Sequence, residues 1–481
     1  MWALVVVCLG MFMNALDSSI VNVALPDIQR DLHFSQSSLI WVVDAFLITF
    51  GSFLLMAGRL GDLIGRKKVF LGGIALFTVS SALCGLATGQ AMLIAGRFVQ
   101  GAGGALSASV IIAIIVTEFP DPGERARAMS AYIFVTVTGA ALGLLVGGVL
   151  TQALSWHLIF FINVPIGIVT FLLGQRLIDE NEGLGIRRGV DVTGSLLVTV
   201  ALMLGIYAII EATEYGWVSA HTLGFGAAAI VLLAVFFVLE SRLANPIMPL
   251  RILRTRTLLN SSIVRGLLAS GAFTTFFLGA LYFENVLGYS PIRTGLAFLP
   301  ISVVMGALSS GITARLVGRF GNKRVLVPGM VSALAGLLLL TTVGPDTDYV
   351  ALVLPAFVLI GLGAGTAFMP LLSIAMADVP SADAGLGSGV VNVSMQMASA
   401  LGLAVLGTIA ADHTKALEAA GQATPDALSG GYRLAFLIGA ILVAVGTVVA
   451  VVLLHGDPPE SLDRAALREI EVMNAGEPMA T

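Results

Sequence analysis

The chain has 481 residues, of which 57% are hydrophobic and 11% charged, with a formal net charge of −4. Soluble domains carry about 25% charged residues, so this composition excludes a water-soluble fold over most of the length. The basic residues are scattered, which also excludes a nucleic-acid binder with its clustered basic footprint.

A membrane-crossing helix needs about 20 apolar residues. That ruler predicts spans near 2–25, 38–58, 69–88, 91–117, 127–150, 157–176, 191–210 and 221–239. Six more follow near 258–283, 294–314, 325–344, 349–377, 384–410 and 432–454, giving fourteen in all. The first run lacks a basic leader and a small-residue cleavage site, so it reads as a retained helix rather than a signal peptide. The run at 349–377 is long, and Pro355 and Pro370 are expected to kink it. Cys8 and Cys84 sit inside apolar runs, where packing is their expected role. The five histidines are dispersed without metal spacing. No metal or cofactor is implied. Without a nucleophile–base pair or a soluble catalytic domain, the chain does not read as an enzyme.

Basic residues favour the cytoplasmic side of a membrane. With the amino terminus inside, only Arg30, Arg293, Lys415 and Arg433 fall outside, and Arg97 and Arg265 fall within spans; the remaining nineteen of 25 lie inside. Both termini are therefore expected in the cytoplasm.

A repeat underlies the spans. GRLGDLIGRKKVF (Gly58 to Phe70) is echoed by ARLVGRFGNKRVL (Ala314 to Leu326) at an offset of 256. Gly101 to Gly103 and Pro120 are echoed by Gly361 to Gly363 and Pro380 at an offset of 260. The expected organisation is a six-helix bundle over 1–178, a two-helix insert over 179–254, a second six-helix bundle over 255–455 and a cytoplasmic tail over 456–481. Parallel repeats of this kind place a substrate site near the bilayer midplane, between the halves.

Three ionisable residues lie inside spans of the first half at similar depth. Asp17, in LDSSIVNVALP, is about 12 Å from the end of its span; Asp44, in WVVDAF, and Arg97, in RFVQGAGG, are each about 9 Å deep. Each costs about 2.5–3.5 kcal/mol at a span's centre, so such residues pair or line a cavity. A water-accessible polar cluster is the expectation. Burial opposes a carboxylate's charge and a guanidinium favours it, so a motion that changes their separation would load and release a proton. Gly139, Gly143 and Gly147 in GAALGLLVGG recur every four residues and form a smooth stripe for helix contact. SWHLIFFINVPIG (Ser155 to Gly167) opens the sixth span, with Trp156 expected as an interface anchor.

Together, from about residue 10 to 455, these motifs resemble the major facilitator superfamily, in particular its fourteen-helix drug:proton antiporters of the EmrB/QacA type. The resemblance implies an all-α membrane fold of two pseudo-symmetric six-helix bundles plus two inserted helices. Gly58, Asp62, Gly65 and Arg66 correspond to a conformational latch on the cytoplasmic side; Gly318 stands where Asp62 would repeat. Gly139, Gly143, Gly147 and Gly148 match the antiporter glycines, although Leu144 replaces the family's proline. Asp17, Asp44 and Arg97 are the expected proton-coupling residues, and Asn22, Gln100 and Arg265 the expected lining of the substrate cavity. The implied function is proton-driven export of lipophilic, cationic drugs or secondary metabolites from a bacterium, across its inner membrane, by a monomer whose partners are protons, small molecules and the bilayer. Proton-coupled uptake is the alternative direction, and a non-transporting sensor or enzyme the alternative class.

Overall fold

A computed structural model describes residues 2–119, 121–180, 192–243, 255–379 and 384–454. The linkers 181–191 and 244–254, the repeat prolines Pro120 and Pro380 and the tail 456–481 lie outside the described residues. Among those described there is no strand. In hydrocarbon every backbone group needs a partner within the chain, and helices supply it locally.

The first half contains α1 (Trp2–Asp31), α2 (Trp41–Ile64), α3 (Arg66–Gly85), α4 (Gln90–Glu118), α5 (Pro122–Ala153), α6 (Leu158–Phe161) and α7 (Asn163–Leu177). The insert forms α8 (Val192–Tyr215) and α9 (Ala220–Arg242). The second half contains α10 (Arg256–Asn285), α11 (Pro291–Ala307), α12 (Thr313–Phe320), α13 (Asn322–Leu340), α14 (Leu354–Met376), α15 (Ala384–Ala419) and α16 (Thr424–Leu453).

Twelve of the described helices are long and apolar enough to cross a bilayer, or thirteen if Ser38–Leu54 and Met56–Ile64, bent by 48°, count as one span. The expected fourteen is not reached. The shortfall lies at 294–314, where α11 has 17 residues and gives way to a π-helical turn, Leu308–Ile312, before α12. A π-helical turn, Tyr349–Val353, precedes α14, so Pro355 opens that helix, where its missing N–H costs nothing, and Pro370 sits within continuous helix. In α9 only 17% of the apolar window is buried within the protein, and Ile230 and Val231 are exposed. That face has no protein to cover it and suits lipid.

Within the first half α1 packs on α5, and α4 on both α2 and α3; in the second, α13 packs on α14, and α10 on α15 and α16. The two α4-type crossings repeat in detail. A methyl group placed on Gly103 would lie 2.5 Å from the Phe77 nitrogen and 3.0 Å from the Gly73 oxygen; one on Gly363 would lie 2.7 Å from the Ala333 nitrogen and 2.8 Å from the Gly329 oxygen. Only glycine permits backbones this close. The turns repeat too: Gly65 joins α2 to α3 with φ +104°, and Gly321 joins α12 to α13 with φ +84°, at the sequence offset of 256.

The halves meet along α5–α11, α2–α15 and α1–α10. Hydrogen bonds between them lie at the end opposite Gly65: the Ile292 N–H donates to Gln152 Oε1 at 3.2 Å, and Gln36 Nε2 donates to Tyr432 Oη at 3.4 Å. Helix α8 packs against α2 and α15 together. Its outer turn is tied to α15, where Trp217 Nε1 donates to Asp412 Oδ2 at 2.8 Å and Lys415 pairs with Glu214 at 2.7 Å.

Candidate functional site

Asp17 and Arg97 meet. The carboxylate of Asp17 on α1 and the guanidinium of Arg97 on α4 form an ion pair at 2.6 Å with side-chain exposures of 0% and 2%. Among the described residues this is the one ion pair with both partners buried. Gln100, one turn along α4, donates from Nε2 to Asp17 Oδ1 at 2.7 Å and accepts from Arg97 Nη1 at 2.7 Å. Asn163 at the start of α7 donates to the same Oδ1 at 3.0 Å, and to Ser81 Oγ on α3 at 3.1 Å. Arg97 Nε donates to the Val42 carbonyl on α2 at 2.9 Å. Its guanidinium carbon lies 4.5 Å from the centre of the Phe46 ring, a cation–π distance. Five helices thus converge on one carboxylate–guanidinium pair.

The arrangement follows from the cost of buried charge. A lone carboxylate or guanidinium here would be prohibitive, whereas the pair offsets much of it once the remaining donors and acceptors are satisfied. Both Asp17 oxygens are engaged, so the centre is a closed network rather than the open polar cluster that the sequence suggests. Asp44 stands apart from it. That side chain is fully buried on α2, and neither carboxylate oxygen has a hydrogen-bond partner among the described residues.

The glycine stripe of α5 abuts the stretch of α1 that carries Asp17. Methyl groups added at Gly139, Gly143 and Gly147 would approach the backbone oxygens of Phe12 at 3.1 Å, Leu16 at 2.7 Å and Ile20 at 2.9 Å. Gly148 turns to the other half, where an added methyl would lie 2.5 Å from the Pro291 oxygen, and Leu144 presents its carbonyl to Gly295 of α11 at 2.4 Å by the same measure.

At the Gly65 end, Asp62 pairs with Arg66 at 3.5 Å, both side chains part-exposed. Arg66 also donates to Thr117 Oγ1 at 2.6 Å and to the Ala113 carbonyl at 3.2 Å, fastening α3 to α4. Gly65 needs its positive φ. Gly58 does not need to be glycine for close approach, because an added methyl would meet only Ser109 Cβ at 4.0 Å; the tight contact is at Gly61, 2.5 Å from Val110 Cγ1.

The expected cavity residues do not gather. Gln100 belongs to the Asp17 network. Asn22 donates to the Ser18 and Ser19 carbonyls of its own helix. Arg265 is buried in the second half, 8% exposed, with Nε towards Met395 Sδ at 3.3 Å and its guanidinium carbon 5.5 Å from the Phe368 ring centre. Trp156 is no interface anchor: it is 4% exposed, and its Nε1 donates to Asp31 Oδ2 at 2.9 Å. Asn163 and Ser81 escaped the sequence reading. The asparagine lies inside a recognised motif, and its amide in an otherwise apolar run was the available signal; nothing marked Ser81 among the polar residues of α3.

A family model described as the Major Facilitator Superfamily matches residues 7–403. The chain is 37% identical to the puromycin resistance protein pur8 of Streptomyces alboniger, covering 92% of this chain and 89% of that one. It is 34% identical to the cephamycin export protein CmcT of Amycolatopsis lactamdurans, covering 95% and 94%. It is also 34% identical to the tetracenomycin C resistance and export protein of Streptomyces glaucescens, covering 85% and 76%. Among solved structures, the nucleoside transporter NupG superimposes with a TM-score of 0.66 over 94% of this chain and all of that one, at 13% identity, a likeness of fold. With helices of this length and apolarity and relatives of this identity, the chain is a multi-pass membrane transporter that belongs to the Major Facilitator Superfamily.

Proposed function

We propose that this protein is a proton-driven exporter of lipophilic antibiotics or related metabolites, cationic ones among them. In this reading it works as a monomer in a bacterial inner membrane with both termini in the cytoplasm. Relatives named for puromycin resistance, cephamycin export and tetracenomycin C resistance and export support the cargo class. The observation that carries proton coupling is the buried Asp17–Arg97 pair, in which Gln100 and Asn163 donate to the carboxylate and the Val42 carbonyl accepts from the guanidinium.

A proton arriving at Asp17 removes the negative charge and leaves Arg97 buried without its counter-ion. The guanidinium retains the Val42 carbonyl and Gln100 Oε1, but the attraction across α1 and α4 collapses. Reorganisation of those helices against α10 and α11 then follows, and the proton is released when Arg97 returns to the carboxylate. One proton supplies about 2.3 kcal/mol per 100 mV and about 1.36 kcal/mol per pH unit. A second proton is assigned to Asp44, whose carboxyl group is buried with neither oxygen hydrogen-bonded among the described residues. The Asp62–Arg66 segment acts as the latch. We further assign the chain to the fourteen-helix antiporter branch, with α11, its π-helical turn and α12 together forming one interrupted crossing.

Purified protein in vesicles with an imposed proton gradient tests this. Substrate movement opposite to proton flow is expected in wild type and lost in Asp17→Asn. Movement in the same direction as the protons would instead establish uptake, the direction that Leu144, in place of the branch's proline, leaves as the rival. Gradient-driven transport by Asp17→Asn at wild-type rate would refute the coupling assignment.

A further inference from the structure

Arg97 and Arg265 are both buried arginines, and only one has a counter-ion. Arg265 enters no ion pair among the described residues. Its Nη1 is buried without a hydrogen-bond partner, and the partner of its Nε is a thioether, a weak acceptor. Ser261 and Ser262 precede it on α10 by four and three residues, a spacing that puts all three on one side of the helix. Both hydroxyls are likewise buried without a partner. Three neighbouring buried donors left unmade are an exception to the rule that interior polar groups are satisfied. All three groups can donate, so a single acceptor could engage them together.

We propose that Arg265, Ser261 and Ser262 bind the acidic group of a transported compound, a carboxylate or phenolate, while Phe368 and Met395 line the space for its apolar body. Guanidinium matches a planar carboxylate with two parallel N–H donors, and the hydroxyls supply further donors to the same oxygens. Phe368 and Met395 are themselves half-buried, so each keeps apolar surface that the protein does not cover. The proposal rests on the export reading and extends its cargo from cations to organic acids.

The test is equilibrium binding to full-length protein in detergent without a gradient, comparing anthracene-9-carboxylate with its neutral carboxamide. Wild type should prefer the carboxylate by about tenfold, a charge-assisted against a neutral hydrogen bond. Arg265→Gln should erase the preference, and Arg265→Lys, which keeps the charge, should restore part of it. Should Arg265→Gln not fold, the Ser261→Ala, Ser262→Ala double variant carries the test, with a preference lowered about threefold or more by the loss of two donors. No saturable carboxylate binding by wild type, or an unchanged preference in Arg265→Gln or the serine double variant, overturns the site. Displacement of the carboxylate by dioleoylphosphatidylglycerol would assign these donors to lipid headgroups and also overturn it. Asp17→Asn should keep the preference while losing gradient-driven transport, so failure of the coupling reading and failure of this site are read separately.

Discussion

Gly143 of α5 lies against the carbonyl of Leu16, the residue before Asp17, so closely that an added methyl group would stand 2.7 Å from that oxygen. The position of the buried carboxylate is therefore set from both sides, by Arg97 in front and by the α5 backbone behind. Gly143→Ala has no backbone partner able to yield and should destabilise by about 1–3 kcal/mol, the usual cost of overpacking. Gly139→Ala, with its nearest contacts at 3.1 Å, should be milder. Thermal melting of the two variants checks the order, and a more damaging Gly139→Ala would mean that this packing does not place α1.

Removing either partner of the central pair leaves a buried charge uncompensated, at a cost of about 3–5 kcal/mol. Asp17→Asn and Arg97→Gln should each lower the melting temperature, and the double variant should recover part of the loss. Coupling is a separate matter: none of the three should transport against a gradient. A double variant no more stable than the sum of its singles would show that the two charges do not interact.

Gly65 and Gly321 occupy equivalent turns with φ of +104° and +84°. Side chains other than glycine are strained there by about 1–3 kcal/mol. Gly65→Ala and Gly321→Ala should therefore destabilise to similar extents, read by chemical or thermal unfolding. Gly58→Ala, with open space around it, should be close to neutral. A Gly58→Ala variant as damaging as Gly65→Ala would show that the loop's glycines matter for something other than these turns.

Much of this was legible in the sequence because the signals were local. Runs of apolar residues placed most of the helices within a few residues, although α15 runs on to Ala419 and α16 already begins at Thr424, and the 256-residue offset pairs Gly65 with Gly321. Depth placed Asp17 and Arg97 at one level, but the sequence led to an open, water-accessible cluster with Asp44, whereas the two form a closed buried pair. Asp44 shows the limit of that argument. Depth gives height along the bundle but not azimuth, so a third charge at the same level lies apart from the pair. Asn163 carried only the signal of an amide in an apolar run: its role depends on which way the start of α7 faces, and that is decided by packing against α1 and α3. The span count failed where a π-helical turn separates α11 from α12, a backbone feature without a hydropathy signature.

Among the described residues, the hydrogen bonds across the halves lie at the end opposite Gly65. There the Ile292 N–H bonds Gln152, and the Gly148 and Gly295 backbones lie against α11 and α5. On the proposed topology, with basic loops in the cytoplasm, this end would be the extracellular one and the state would be sealed towards the outside. Export by alternating access then requires α5 and α11 to separate at this point. Cys8 and Cys84 are buried, so a Gln152→Cys, Ile292→Cys variant can be joined selectively with a short bifunctional thiol reagent. Cross-linking should be fast without a gradient, should arrest transport, and should be undone by a reducible linker. A cross-linked protein that still moves substrate at full rate would mean that α5 and α11 stay together throughout the cycle and that the outer opening forms elsewhere.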